Sequence, residues 1–211
     1  MRQAATAAMD MEAIMKGTFG NEDLYLLGPN YSFTKESIFY SDAGSEYYNQ
    51  ADPAKAKQLL KEAGYDNEEI VWIAPTGYPE IYWPTVIAAE QLMNAGFNIK
   101  MEVIEAATFF GSARPDPTQW DMFSTYHGFV PSPALWTVLS PSYPGWWENE
   151  EKDRLMEKYF GTFDIQERAD VWAEVQQLIW DEAAVARTGV AHNFMVTVPE
   201  LGGFEGMLQP I

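Results

Sequence analysis

Between Asp52 and Ile104 the chain switches repeatedly between helical and strand spacing, and that alternation confines it to one class of fold. Asp52 suits an N-cap and Pro53 the first helical position. Ala56, Leu59, Leu60 and Ala63 then recur at helical spacing, and Gly64 suits the left-handed residue that follows a helix. Glu69 to Ala74 (EIVWIA) is an apolar run of strand length, closed by the turn Pro75-Thr76-Gly77-Tyr78-Pro79. Tyr82 to Ala95 returns to helical spacing, with Val86, Ile87, Ala89 and Met93 inward and Gly96 as its stop. Phe97 to Ile104 alternates, with Phe97, Ile99, Met101 and Val103 on one side and Asn98, Lys100 and Glu102 on the other. Helix, strand, helix, strand in this order predicts an α/β layer architecture.

The flanks extend the pattern. Arg2 to Lys16 reads as one helix, ended by Gly17 and Gly20. Residues 21–50 carry turn signals and little periodicity, so they read as a long connection with a short strand near Leu24 to Leu27. Glu105 to Gly111 reads as a short helix, and two prolines make Ala113 to Thr118 a loop. Trp120 to Tyr126 is the next strand. Glu148 to Phe160 is a helix with acidic residues in its first turn and Leu155, Met156, Tyr159 and Phe160 inward. Asp164 with Glu167 resembles a capping box. It opens a helix to Asp181 whose stripe of Val171, Trp172, Val175, Leu178 and Ile179 is core. Ala183 to Val190 and Asn193 to Val198 read as extended.

Composition narrows the function classes. The chain has 13 basic and 31 acidic residues, a net charge of −18. No basic stripe exists to offset phosphates, so no nucleic-acid partner is expected, and an anionic membrane surface is disfavoured. With no Cys, thiolate metal sites, disulfides and Cys nucleophiles are excluded. His127 and His192 are the only histidines, and no H-E-x-x-H occurs, so neither a metal nor any other cofactor is expected. No carboxylate stands in a distinctive catalytic motif, and G-x-S-x-G, P-loop and G-x-G-x-x-G patterns are missing, so no catalytic residue is assigned. No apolar run is long enough to span a bilayer. Met1 leads into an Ala-rich segment rather than a basic end and an apolar block, which leaves a cytoplasmic protein or an internal piece of a longer, processed one.

The stretch most suggestive of a site is Gln119 to Trp147. An apolar strand stops there at a loop rich in aromatics, a common way to build the wall of a cleft. Tyr126, His127, Phe129, Trp136 and Trp146, with Tyr78 from the turn after Ala74, are the candidate ligand-binding residues. One member of the Trp146-Trp147 pair is expected under the following helix, leaving the other to face ligand.

Three segments carry a resemblance. Arg2-Gln3-Ala4 with Ala8-Met9-Asp10, Ile14 and Gly20 is similar to an "RQA…AID…I…G" helix. Asp52-Pro53-Ala54-Lys55-Ala56, Leu59-Leu60 and Glu62-Ala63-Gly64-Tyr65 resemble "DP.KAK.LL.EAGY", the most specific of the three. Glu90-Gln91-Leu92 to Gly96-Phe97 and Ile99, followed by Trp120-Asp121-Met122, resemble "LQ.QL…GI.V" and "WDM". On these the chain resembles the extracellular solute-binding proteins of family 5, the dipeptide, oligopeptide and nickel-binding components of ABC importers.

The resemblance implies a type II periplasmic-binding-protein fold, with a mixed sheet flanked by helices. It implies that residues 1–211 form a single C-terminal ligand-binding lobe of a larger two-lobed, exported protein. The partners implied are a peptide or other small solute, an N-terminal lobe of the same protein and an ABC permease. The place would be periplasmic or extracellular, and no enzyme activity is implied. Two departures stand out. Aligned on Ser132-Pro133, Phe129 occupies the position where short-peptide receptors keep an Asp for the ligand's amine, and Pro75 to Pro79 lacks the Arg that dipeptide binders use for its carboxylate. The aromatic loops suit a longer peptide, a sugar or another ligand with flat apolar faces. A carbohydrate-active enzyme or sugar-binding domain is the alternative, and a bare interaction module a third.

Overall fold

The computed structural model describes residues 1–31, 33–192 and 198. In chain order the elements are α1 (Arg2–Ala8), α2 (Met11–Phe19), β1 (Tyr25–Leu26), α3 (Pro53–Glu62), β2 (Glu69–Pro75), α4 (Pro79–Asn94), β3 (Asn98–Ile104), α5 (Ala106–Thr108), β4 (Met122–Phe123), α6 (Glu150–Gly161), α7 (Ile165–Asp181) and β5 (Val190–Ala191). A π-helical turn, Phe109–Ala113, continues α5. β2 is the centre of a parallel sheet in the order β3-β2-β4, with Trp72 opposite Met101 on one side and Met122 on the other. β1 and β5 form a separate antiparallel pair. Parallel and antiparallel pairing thus both occur, in two sheets flanked by helices.

Local chemistry explains most boundaries. The Asp52 carboxylate accepts from Lys55 N at 2.9 Å and Pro53 opens α3. Gly64, at φ +71°, turns the chain so that Tyr65 N reaches Leu60 O at 3.1 Å. The Tyr65 hydroxyl then accepts from Asn98 N at 2.9 Å, which fixes the start of β3. Asn149 caps α6 through Lys152 N at 2.8 Å, so Glu148 lies outside that helix. Asp164 caps α7 through the amides of Gln166 and Glu167.

Several expectations need correction. The segment Arg2 to Lys16 is two helices, because Asp10 caps a new start through Ala13 N at 2.8 Å. Side chains distant in sequence serve the adjoining amides: Gln91 Oε1 accepts from Asp10 N at 2.9 Å and Asn49 Oδ1 from Met11 N at 2.7 Å. α4 starts at Pro79, three residues earlier than read, since Pro is suited to the first helical position. Met93, Val103 and Phe160, expected inward, are exposed. The strand expected over Trp120 to Tyr126 shrinks to Met122–Phe123, because the chain leaves β2 after Ser124 N bonds Ile73 O at 3.4 Å. Of Ala183 to Val190, only Val190 enters a strand. The strand expected over Asn193 to Val198 lies, apart from Val198, outside the described residues.

Among the described residues the buried apolar side chains form two large cores and a small third cluster of Ile73, Phe109 and Ala113. In the first, the small buried residues Ala4, Ala5, Ala7 and Ala8 let α1 pack closely on α3, and Ile70 and Trp72 join them. The second is aromatic: Tyr159 of α6 and Trp172 and Trp180 of α7 pack with Tyr31, Phe33, Phe39 and Trp136. Part of the long connection, residues 21–50, wraps α7. Buried Gln176 holds it there, accepting from Tyr31 N at 3.3 Å and donating to Ser41 O and Ala43 O at 2.8 Å each. Such a fully bonded buried amide fixes register where apolar contact alone would slide.

Candidate functional site

Between the two cores lies a concavity of about 1120 Å³, lined by Trp72 and Phe97 from the first, Tyr31 and Trp136 from the second, and the segment Ala183 to His192. β4 delivers the chain to it. After Ser124 the backbone runs as loop with two 3-10 turns, Pro133–Leu135 and Thr137–Leu139. Tyr126, His127, Phe129, Trp136 and Trp146 all line this space. Tyr78 is not among its described lining residues; it stands behind Tyr126, ring centroids 6.3 Å apart, and touches Phe110 edge-on at 5.4 Å.

These residues differ in kind. Tyr126 is 47% exposed and Phe129 39%, so both offer free apolar surface. Trp136 is only 4% exposed, wedged against Tyr31 at 5.2 Å and Trp172 at 6.0 Å. It forms the floor of the concavity and a part of the core at once. Trp146 stacks on Trp120 at 5.6 Å with the planes 17° apart. Its φ is +42°, a costly conformation for a bulky side chain, which the preceding Gly145 and this stack hold in place. Trp147 is the buried member of the pair, its indole N–H donating to Glu182 at 2.8 Å. Lys152, itself buried, donates to Trp147 O at 2.7 Å.

His127 lies within 3.3 Å of the Tyr143 hydroxyl and edge-on to Trp136 at 6.0 Å. Burial, with the nearby Arg114 charge adding to it, pushes its pKa from 6.5 down to about 4. The ring is therefore neutral at pH 7. Burial also raises the Tyr143 phenol, which stays protonated. Among the described residues no three of His, Asp and Glu come together in a way that could hold a metal ion. No helix of the described residues is long and apolar enough to cross a membrane.

Sequence reasoning missed two arginines. Arg114, read as part of a proline loop, ends the π-helical turn, its amide on Phe109 O at 3.0 Å. Arg187, in a segment read as strand, lines the concavity; burial pulls its guanidinium down to about 10, opposed by Tyr48, Tyr31 and Tyr40. The available signal was scarcity: the chain has only five arginines, and neither of these stands at helical spacing from an acid.

Residues 1–149 match the Bacterial extracellular solute-binding proteins, family 5 Middle. The chain belongs to this family. It is 28% identical over 191 residues, 85% of its length, to the "Probable peptide ABC transporter periplasmic-binding protein y4tO" of Sinorhizobium fredii, of which it covers 36%. It is 24% identical over 208 residues to the "Glutathione-binding protein GsiB" of Salmonella choleraesuis, covering 87% of this chain and 37% of that one. Among solved structures, the substrate-binding protein CtaP of Listeria monocytogenes superposes with a TM-score of 0.77 at 21% identity, over 89% of this chain and 39% of that one. The oligopeptide-binding protein AppA of Bacillus subtilis, solved with a nonapeptide, gives 0.71 at 21% identity, over 87% and 40%. The fold of this family 5 chain is thus that of the type II periplasmic binding proteins. The chain spans well under half the length of the relatives it matches.

Proposed function

We propose that this chain supplies one wall of the solute-binding cleft of an ABC importer's binding component. The carrying observation is the aromatic-lined concavity at the end of β4, on the fold of a family of extracellular solute-binding proteins. A peptide-like or other small solute is held between this wall and a second lobe of the same protein. Closure is stabilised by contacts the solute makes only in the closed state. The closed form delivers solute to a membrane permease, and the protein works outside the cytoplasm without covalent chemistry. The names of the relatives support the peptide class of solute. They lend no support to the carbohydrate-active alternative.

The test is native mass spectrometry of the full-length protein purified without refolding. A co-purified peptide or peptide-like solute is expected. A protein that carries no solute and captures none from a peptide mixture overturns the reading. Calorimetry tests the second lobe: this chain alone should bind the solute far more weakly than the full-length protein, and equal affinities would exclude a second wall.

A further inference from the structure

A side pocket of about 270 Å³ opens off the concavity. It shares Thr125, Tyr126, His127 and Tyr143 with the larger space and adds Phe110, Arg114 and Thr137. Arg114 is the one cation among its described lining residues. The guanidinium carbon sits 5.2 Å from the Phe110 ring, 5.6 Å from Tyr143 and 5.8 Å from Phe123. Its Nε is buried and meets no acceptor among the described residues. None of the six ion pairs found there includes it.

That isolation runs against composition. Acids outnumber bases 31 to 13, and exposed Arg154 readily takes Glu151 through two hydrogen bonds. The acids nearest Arg114 in sequence are held elsewhere. Asp116 accepts from Thr118 and Gln119, and Asp121 accepts from Val71 N at 2.8 Å. A guanidinium whose Nε is buried without an acceptor among the described residues and whose carbon lies against three ring faces is incompletely compensated. An anion brought from outside can supply the missing acceptor.

The pocket's chemistry selects among anions. His127 is neutral and adds no second charge, so one guanidinium faces the ligand, matching a singly charged group better than a phosphate dianion. A planar carboxylate meets the guanidinium fork through two parallel bonds. The Thr137 hydroxyl is a further donor, the Tyr143 hydroxyl being paired with His127, and the aromatic walls accept the hydrocarbon that carries the charge. We infer that Arg114 and this side pocket form a subsite for a carboxylate of the solute, whether its chain terminus or an acidic side chain. The inference rests on the reading of the neighbouring concavity as a solute site.

Two arms test it on the full-length protein. In the first, ¹⁵N-arginine-labelled protein is titrated with benzoate and, separately, with benzamide, its neutral analogue. The Arg114 Nε–H signal, assigned by its loss in Arg114→Lys, should shift saturably with benzoate only. Arg114→Gln should weaken benzoate binding at least tenfold. No shift, or equal shifts with both probes, overturns the subsite without requiring any variant to bind. In the second arm, three tetrapeptide pools compete for the protein: free C-termini without acidic residues, C-terminal amides containing one Glu, and amides with no acid. Retention of the first pool assigns the terminus and of the second the side chain. Equal retention of the fully neutral pool overturns the subsite while leaving peptide binding intact. Benzoate binding at Arg114 with no peptide retained leaves the subsite standing and removes the peptide reading.

Discussion

Acid should weaken this protein through His127 well before its carboxylates titrate. In the folded state the His127 pKa is about 4 rather than 6.5, because burial and Arg114 both oppose a second positive charge there. Well above pH 6.5 the ring is neutral folded or unfolded and contributes almost nothing to the pH dependence. Between pH 6.5 and 4 the unfolded chain binds a proton that the folded one does not, so stability falls as pH falls. For these two values the loss reaches about 2 kcal/mol at pH 5 and approaches about 3 kcal/mol below pH 4. The assay is urea denaturation at pH 7.5, 6.5, 5.5 and 5.0 for the wild type and His127→Gln. Glu36, Glu105, Asp116 and Glu151 are held below their ordinary values, each first by a hydrogen bond, so their stabilisation also falls in acid. They titrate alike in both proteins and cancel in the difference. The wild type should lose about 2 kcal/mol more than the variant between pH 7.5 and 5.0. Parallel pH profiles would refute the picture of a buried, neutral His127 beside Arg114.

Other perturbations separate packing from binding. Gly44 has φ +79°, and an added Cβ would lie 2.1 Å from Cδ1 of fully buried Trp180. Gly44→Ala should cost about 3 kcal/mol in chemical denaturation, from backbone strain and overpacking together; a loss under about 1 kcal/mol would show that Trp180 moves freely. Trp136→Ala should cost about 3–5 kcal/mol, as its ring is enclosed by Tyr31, Trp172 and His127. Phe129→Ala, on an exposed ring, should change stability by about 0.5 kcal/mol or less while weakening capture of the co-purified solute. Unchanged capture by Phe129→Ala would remove that residue from the site.

The caps and periods were legible because their causes are local. Asp52, Pro53 and Gly64 bound α3 through bonds made within a few residues, and the α7 stripe buries Val171, Trp172, Val175 and Ile179 as its spacing predicts. The break after Ala8 had one local sign, Asp10 as a cap for Ala13 N, but the acceptors that serve the Asp10 and Met11 amides, Gln91 and Asn49, come from remote segments. The apolar run at Trp120 looked like strand throughout. Spacing shows which residues are apolar but not how long a neighbouring strand accompanies them, so Trp120 and Tyr126 serve the wall of the concavity instead of the ladder.

For the site, the sequence by itself determined the loop and its aromatics. It also determined the acid excess that makes an arginine with no ion pair among the described residues unusual. Only the tertiary structure set Trp136 into the floor, left Phe129 and Tyr126 free, and brought Arg114 beside Tyr143 and His127 across a gap of many residues. The physical reason is range. Capping and periodicity act over one or two turns of chain, whereas desolvating a charge depends on every segment packed around it, and no sequence interval encodes that.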